Sequence, residues 1–401
     1  MRAPESKRAH PSNLGSAGIY IHVPFCKRKC AYCDFASYTD LEFLFSTYTE
    51  AICAEIEREA SSWEMVCFDT VFIGGGTPTL FPAPMIVTLI NHCRRYLTVT
   101  PNAEITIEAN PGTISPADLR TLRLAGINRL SLGVQSLHDD ELRLLGRIHT
   151  AQEALEAFRL AREAGFPNIN LDLIYGLPSQ TLGRWRETLE NVIALRPEHL
   201  SLYALTLEEG TPLIERVEAG ELPAPDDDLA ADMYEAAEAL LAHAGYTHYE
   251  ISNWARRSTQ DREGEIPALA CQHNLKYWRN ERYLGLGAAA YSFDGWRRYA
   301  NSRDPAGYVA RITSRQAGKT ESEELTSEGR MGETMMLGLR LMVGVSWDEF
   351  AQRYGIGLAE VYGREIDELV DAGLLQRDDR GVRLTPRGRL LGNQVFAAFL
   401  R

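Results

Sequence analysis

Short apolar runs alternate with amphipathic stretches over the first half of the chain. Residues 70–73, 104–108, 129–133, 169–174 and 200–205 read as buried strands, and 83–96, 116–125, 151–164 and 182–195 carry the apolar spacing of helices. A further apolar strand runs into a cysteine-rich loop at residue 26. About six strand–helix units therefore fit between Gly18 and Thr206, which predicts a parallel sheet with helical crossovers. Six units are too few for a closed eight-fold barrel and suit an open, partial (β/α)6 one. Active sites of such folds lie beyond the carboxyl ends of the strands.

The second half changes character. A Pro- and acid-rich break at 222–228 precedes a helix at 229–244 and an irregular stretch, 254–270, expected as a surface loop. Helices at 327–341 and 358–372, a hairpin at 374–384 and a helix at 385–400 predict a mainly helical, winged-helix-like end domain. The expected division is an arm at 1–17, a core at 18–225, a connecting region at 226–320 and the end domain at 321–401. Winged helices often bind DNA, but 346–401 holds eight Arg or Lys against nine Asp or Glu, so no basic footprint exists there. A packing or partner role is expected instead.

Composition adds exclusions. Apolar content of 45% and charged content of 24% are those of an ordinary globular protein. A net charge of −13 argues against broad binding to nucleic acid or anionic membranes. No apolar run reaches the length of a membrane span, and the polar arm at 1–17 lacks the apolar core of a signal peptide, so a flexible arm and a cytoplasmic location are expected. Cys53, Cys67, Cys93 and Cys271 are scattered and read as ordinary thiols.

The remaining three cysteines carry chemistry. Cys26, Cys30 and Cys33 form a C-x3-C-x2-C run directly after the first strand. Three thiolates can hold three irons of a [4Fe–4S] cube and leave the fourth open to a small molecule. A zinc site would need a fourth protein ligand, with only His22 or Asp34 at hand. Gly74-Gly75-Gly76-Thr77-Pro78 follows a strand, and such glycines allow close backbone approach to a ligand or simply make a tight turn. Glu108, Gln135, Arg147, Asp172 and Thr206 fall at or near predicted strand ends. In isolation each reads equally as a structural hydrogen-bonding residue.

The triplet is the signature of the radical S-adenosylmethionine (radical SAM) superfamily, which this chain resembles. The resemblance implies that the amine and carboxylate of SAM chelate the open iron, and that an electron from the cluster can cleave SAM. The order and spacing of the strand-end residues are similar to the HemN-like branch, the anaerobic coproporphyrinogen oxidases and their relatives. It implies SAM contacts at Tyr20, Gly75, Gly76, Thr77, Glu108, Gln135, Arg147, Asp172 and Thr206. Two features point within that branch to the HemW haem chaperones. Phe35 stands where the oxidases carry a further cysteine, and His273-Asn-Leu-Lys-Tyr-Trp278 matches the H-N-x-x-Y-W motif of HemW. Tyr291 stands where many relatives have histidine. The resemblance implies haem as cargo held by His273, Tyr277 and Trp278. Imidazole is a common haem ligand, and the two aromatics offer flat surface. From residue types alone these three read as a satisfied histidine and core aromatics. An acceptor haem protein, respiratory proteins included, an electron donor for the cluster and a homodimer are further implied partners. The rival expectation is an oxygen-independent coproporphyrinogen III oxidase, an oxidoreductase acting on a tetrapyrrole.

Overall fold

The computed structural model describes residues 15–400; most of the expected N-terminal arm lies outside them. Strands β1 (Ala17–Val23), β2 (Cys67–Gly75), β3 (Thr98–Ala109), β4 (Arg129–Gln135), β5 (Asn168–Tyr175) and β6 (His199–Ala204) lie side by side in chain order, all parallel. Helices Phe45–Glu59, Ala83–Tyr96, Pro116–Leu124, Ala151–Glu163 and Leu182–Ala194 make the crossovers. Their starts are chemically specified. Ser115 with Asp118, and Thr150 with Glu153, form reciprocal capping boxes that satisfy the first free backbone N–H groups.

The inner strands have two unlike faces. Successive side chains of a strand point to opposite sides. In β4, Leu130, Leu132 and Val134 join the core beneath the crossover helices, while Ser131, Gly133 and Gln135 face the barrel interior. In β5, Ile169, Leu171 and Leu173 face the helices and Asp172 the interior. The sheet is thus apolar outside and polar within, the arrangement of an open partial barrel that encloses a site.

Two findings go beyond the expected six units. After β7 (Tyr246–Glu250) and β8 (Asn253–Arg256), which pair antiparallel beyond β6, the chain returns to the other edge. There β9 (Tyr283–Leu286) pairs parallel with β1, followed by antiparallel β10 (Tyr291–Phe293), β11 (Arg297–Asn301) and β12 (Lys319–Glu324). The whole is a twelve-stranded mixed sheet. The loop expected over 254–270 starts later than its first residue: Trp254 lies in β8, 1% exposed, and stacks on His248 at 4.1 Å between ring centres.

A second apolar core, with Met335, Phe350, Tyr362, Val382 and Phe399 at its centre, forms between helices Ser327–Gly338, Trp347–Tyr354 and Leu358–Asp371 and a small sheet. That sheet joins β13 (Val345–Ser346), β15 (Gly381–Leu384) and β14 (Leu375–Arg377), all antiparallel, giving the winged-helix-like shape. The last expected helix is split into Pro386–Leu390 and Gly392–Ala397. Among the described residues no helix is long and apolar enough to cross a membrane.

Candidate functional site

The carboxyl ends of β2 to β6 and the cysteine loop after β1 surround a cavity of about 430 Å³. Cys26, Cys30 and Cys33 line it from one side. Gly75, Gly76, Thr77, Glu108, Gln135, Arg147, Asp172 and Thr206 line the rest, so eight of the nine expected SAM positions come together with the thiols. Tyr20 is the exception. It points into the barrel interior below the cavity, and its hydroxyl bonds His22 Nδ1 at 2.8 Å. His22 in turn bonds the Ala36 carbonyl at 3.0 Å, so Tyr20 reaches the cysteine loop only through His22.

The glycine segment lines the cavity with its N–H groups turned to protein partners. Gly75 N–H donates to Glu108 Oε2 at 3.0 Å, Gly76 N–H to the Val23 carbonyl at 2.9 Å and Thr77 N–H to the Phe25 carbonyl at 2.8 Å. These donors are engaged by protein and are not free for a ligand carboxylate. A Cβ on Gly76 would lie 2.6 Å from the Phe25 carbonyl oxygen and 2.9 Å from Cys26 Sγ. The glycine lets the end of β2 pack against the cysteine loop. Gly75 has φ +121 and its added Cβ would meet the His22 ring at 2.7 Å, so both backbone and space require glycine.

The polar wall is organised around Arg147. Its guanidinium donates to the Gly133 carbonyl at 2.8 Å, to Asn110 Oδ1 and to Cys30 Sγ at 3.4 Å, while its Nε is buried without a partner. Asn110 also donates to Thr77 Oγ1 at 2.7 Å, which ties the two sides of the mouth together. Gln135 holds φ +67 at the end of β4, an uncommon conformation for a residue with a side chain, of the kind concentrated at functional sites. Asp172 accepts from Ser131 Oγ at 3.0 Å and Asn170 Nδ2 at 2.8 Å. Burial, then the neighbouring Asp172, pushes Glu108 up to about 8, and burial pushes Asp172 up as well. Burial likewise raises the Cys26 and Cys33 thiols.

These groups fit an iron–sulfur cluster with SAM. Three soft thiols and the Arg147 guanidinium surround one cavity, and a bound cluster supplies the positive iron that makes thiolates of buried thiols. Two buried carboxylates, both raised by burial, suit a ligand that brings positive charge, as the ammonium and sulfonium of SAM do. Among the described residues no three His, Cys, Asp or Glu side chains converge as on one ion. A cube instead takes one thiolate per iron.

The H-N-x-x-Y-W residues are elsewhere. They lie on helix Gln272–Trp278, and His273 is 1% exposed. Its Nδ1 bonds Thr70 Oγ1 at 2.8 Å, its Nε2 bonds the Tyr277 hydroxyl at 3.0 Å, and its ring stacks on Phe72 at 5.2 Å. Glu104 accepts its backbone N–H at 3.1 Å. Thr70 and Glu104 pair with each other and with Gly18 and Tyr283 across the strands, several residues before the ends that bear the cavity. The motif therefore closes the amino-terminal end of the barrel, away from the cysteines. In this conformation both ring nitrogens of His273 are taken, and burial, with Lys276 and Arg129 nearby, lowers its pKa to about 3. Tyr277 packs edge-on against Tyr283, and Trp278 lies half-buried under the Arg340 guanidinium at 4.4 Å.

Residues passed over in the sequence complete the cavity: Asn110, Ser131, Tyr32 and Tyr203. Asn110 stands two residues after Glu108 in Glu108-Ala-Asn-Pro111 and Ser131 alternates with leucines in β4, signals present in the sequence.

The radical SAM superfamily model matches residues 20–192 and the HemN C-terminal domain model residues 325–391. The haem chaperone HemW of Bacillus subtilis is 36% identical over 95% of this chain and 98% of its own length. HemW of Mycobacterium tuberculosis is 36% identical over 96% of this chain and 94% of its own. Among solved structures, the radical SAM enzyme coproporphyrinogen III oxidase (HemN) of Escherichia coli superposes with a TM-score of 0.82 at 26% identity, over 96% of this chain and 90% of that one. With its thiol-lined cavity, its HemN-type end domain and relatives matched over nearly their whole length, the chain belongs to the HemW haem chaperone family of the radical SAM superfamily.

Proposed function

We propose that this protein binds haem and passes it to an acceptor haem protein, of the respiratory kind among others, in the cytoplasm. The observation that carries this reading is similarity over 95% of the chain to a relative named as a haem chaperone. Cys26, Cys30 and Cys33 would hold the cluster. Glu108, Gln135, Arg147, Asp172, Thr206 and the Gly75–Thr77 segment would form the SAM pocket around it, with Tyr20 acting at one remove through His22. The cluster supplies, when loaded, an open iron for SAM and a store for one electron, which calls for an electron donor. The end domain at 321–401 serves packing or a partner contact, and a homodimer is compatible with it.

Haem ligation by His273 requires its Nε2 to exchange the Tyr277 hydroxyl for iron, because the ring is closed in by Thr70 and Tyr277. Trp278, at the end of the same helix, has a buried indole N–H with no acceptor. The rival oxidase reading draws on the similarity to HemN. Against it stands Phe35, 66% exposed at the cavity, where the oxidases have a cysteine. Mixing the haem-loaded, anaerobically reconstituted protein with an apo-form of a b-type haem protein should move the Soret band to that of the holo-acceptor. Retention of haem by the chain, together with decarboxylation of coproporphyrinogen in the presence of SAM and reductant, would favour the oxidase.

A further inference from the structure

The cysteine loop carries more than its ligands. Between Cys26 and Cys30 the chain reads Lys27-Arg28-Lys29, three consecutive cations on a protein of net charge −13. All three are exposed. Among the described residues none of the three has an ion-pair partner, whereas Arg159, for comparison, is answered by Glu156 and Glu163. Asp34 is the single acid in the segment 26–35. Beside the cations, on the rim of the same cavity, Phe35 exposes 66% of its surface with no covering side chain assigned to it. An apolar centre next to unpaired charge of one sign is the anatomy of a small, transient protein contact.

We infer that Lys27, Arg28, Lys29 and Phe35 form the docking surface for an acidic one-electron donor protein that reduces the cluster. This rests on the proposed cluster at the three cysteines. The argument for the occupant is charge complementarity and position. The loop that would wrap the cluster carries these exposed cations between two of the three partly exposed cysteines. A partner docked on Lys27 to Lys29 stands within a few residues of two ligands, which keeps the transfer path short. The rest of the chain repels an acidic protein, so the local basic patch both attracts and orients it. The step is a single electron passing from the reduced donor to the oxidised cluster, with no bond made or broken.

The test uses the reconstituted protein and flavodoxin hydroquinone as the acidic probe. Two readouts are taken: the affinity of the complex by surface plasmon resonance, and the rate of cluster reduction by stopped flow. Lys27→Glu/Lys29→Glu leaves every cavity-lining residue in place. It should weaken binding and slow reduction about tenfold or more at low salt. The wild type should lose most of that difference as salt approaches about 0.3 M, where exposed charges are screened. Photoreduction by neutral 5-deazariboflavin should proceed equally in both proteins. Lys27→Gln/Lys29→Gln should fall between them. Equal rates and affinities for wild type and the double Glu variant, independent of salt, would overturn the docking surface while leaving the cluster standing. Failure of 5-deazariboflavin to reduce either protein would instead count against the cluster itself, and the docking surface with it. Haem retention unchanged in the Glu variant separates the donor from haem propionates as the anion served; a loss of haem affinity equal to the loss of flavodoxin affinity would reassign the patch to the cargo.

Discussion

Replacing His273 tests the most consequential feature of the molecule. The ring is 1% exposed, stacked on Phe72 and bonded at both nitrogens. His273→Ala would leave the buried Thr70 hydroxyl and the enclosed Tyr277 hydroxyl without partners, at about 1–3 kcal/mol each, and would open a cavity between β2 and helix Gln272–Trp278. A loss of about 3–5 kcal/mol in stability is expected. The assay is denaturant unfolding of the cluster-free protein, followed by tryptophan fluorescence. Tyr277→Phe removes one partner only and should cost about 1–2 kcal/mol, while freeing Nε2. Since His273 holds a pKa of about 3 when folded and about 6.5 when unfolded, it stays neutral in the native state while the unfolded chain takes up a proton. This group therefore withdraws about 1.4 kcal/mol of stability per pH unit as pH falls from 6.5 towards 3, and His273→Ala should remove that part of the acid sensitivity. If the ring is also the haem ligand, Tyr277→Phe should tighten haem binding as His273→Ala abolishes it. Unaltered stability and acid sensitivity in His273→Ala would refute the closed, doubly bonded histidine.

Further outcomes follow from the rim. Gly76→Ala forces a Cβ onto the Phe25 carbonyl and Cys26 Sγ, so iron and sulfide content after reconstitution should fall well below that of Gly363→Ala, in helix Leu358–Asp371, whose added Cβ meets nothing within 4 Å. Glu108 titrates at about 8, so binding of cationic SAM should tighten as pH rises from about 6 to 8 and deprotonates it; Glu108→Gln should flatten that dependence in anaerobic calorimetry. Cys30→Ala should lose the cluster, whereas Cys53→Ser and Cys93→Ser, whose thiols are buried beneath crossover helices, should keep close to four irons per chain.

Much of the site was legible because it obeys local rules. A parallel strand ends where its apolar run ends, so Glu108, Gln135 and Thr206 could be assigned to one rim without knowing the sheet order, whereas Asp172 lies inside its strand. The triplet needed no context beyond its spacing. What escaped was non-local. The pairing of β9 with β1 joins Tyr283 to Gly18 across most of the chain, and a four-residue apolar strand carries no sign of its partner. The enclosure of His273 depends on that pairing, since the helix before β9 is carried with it to the base of the barrel. Tyr20 stands apart from the other expected SAM positions for a related reason: inner-face residues of β1 point to the rim or to the interior depending on their height, and Tyr20 lies two residues before His22. The packing of Gly75 and Gly76 against His22, Phe25 and Cys26 is equally non-local, and only the distances reveal it.

The central claim is that a radical SAM cavity and a haem site coexist in one chain whose business is carriage. Anaerobic reconstitution followed by haemin titration, with and without SAM and with coproporphyrinogen offered in parallel, tests it most directly. About one haem per chain, a Soret band distinct from free haemin and an undiminished cluster spectrum, with no vinyl product, are the predicted results. No haem bound at stoichiometric concentration, with coproporphyrinogen converted at the expense of SAM, would contradict it.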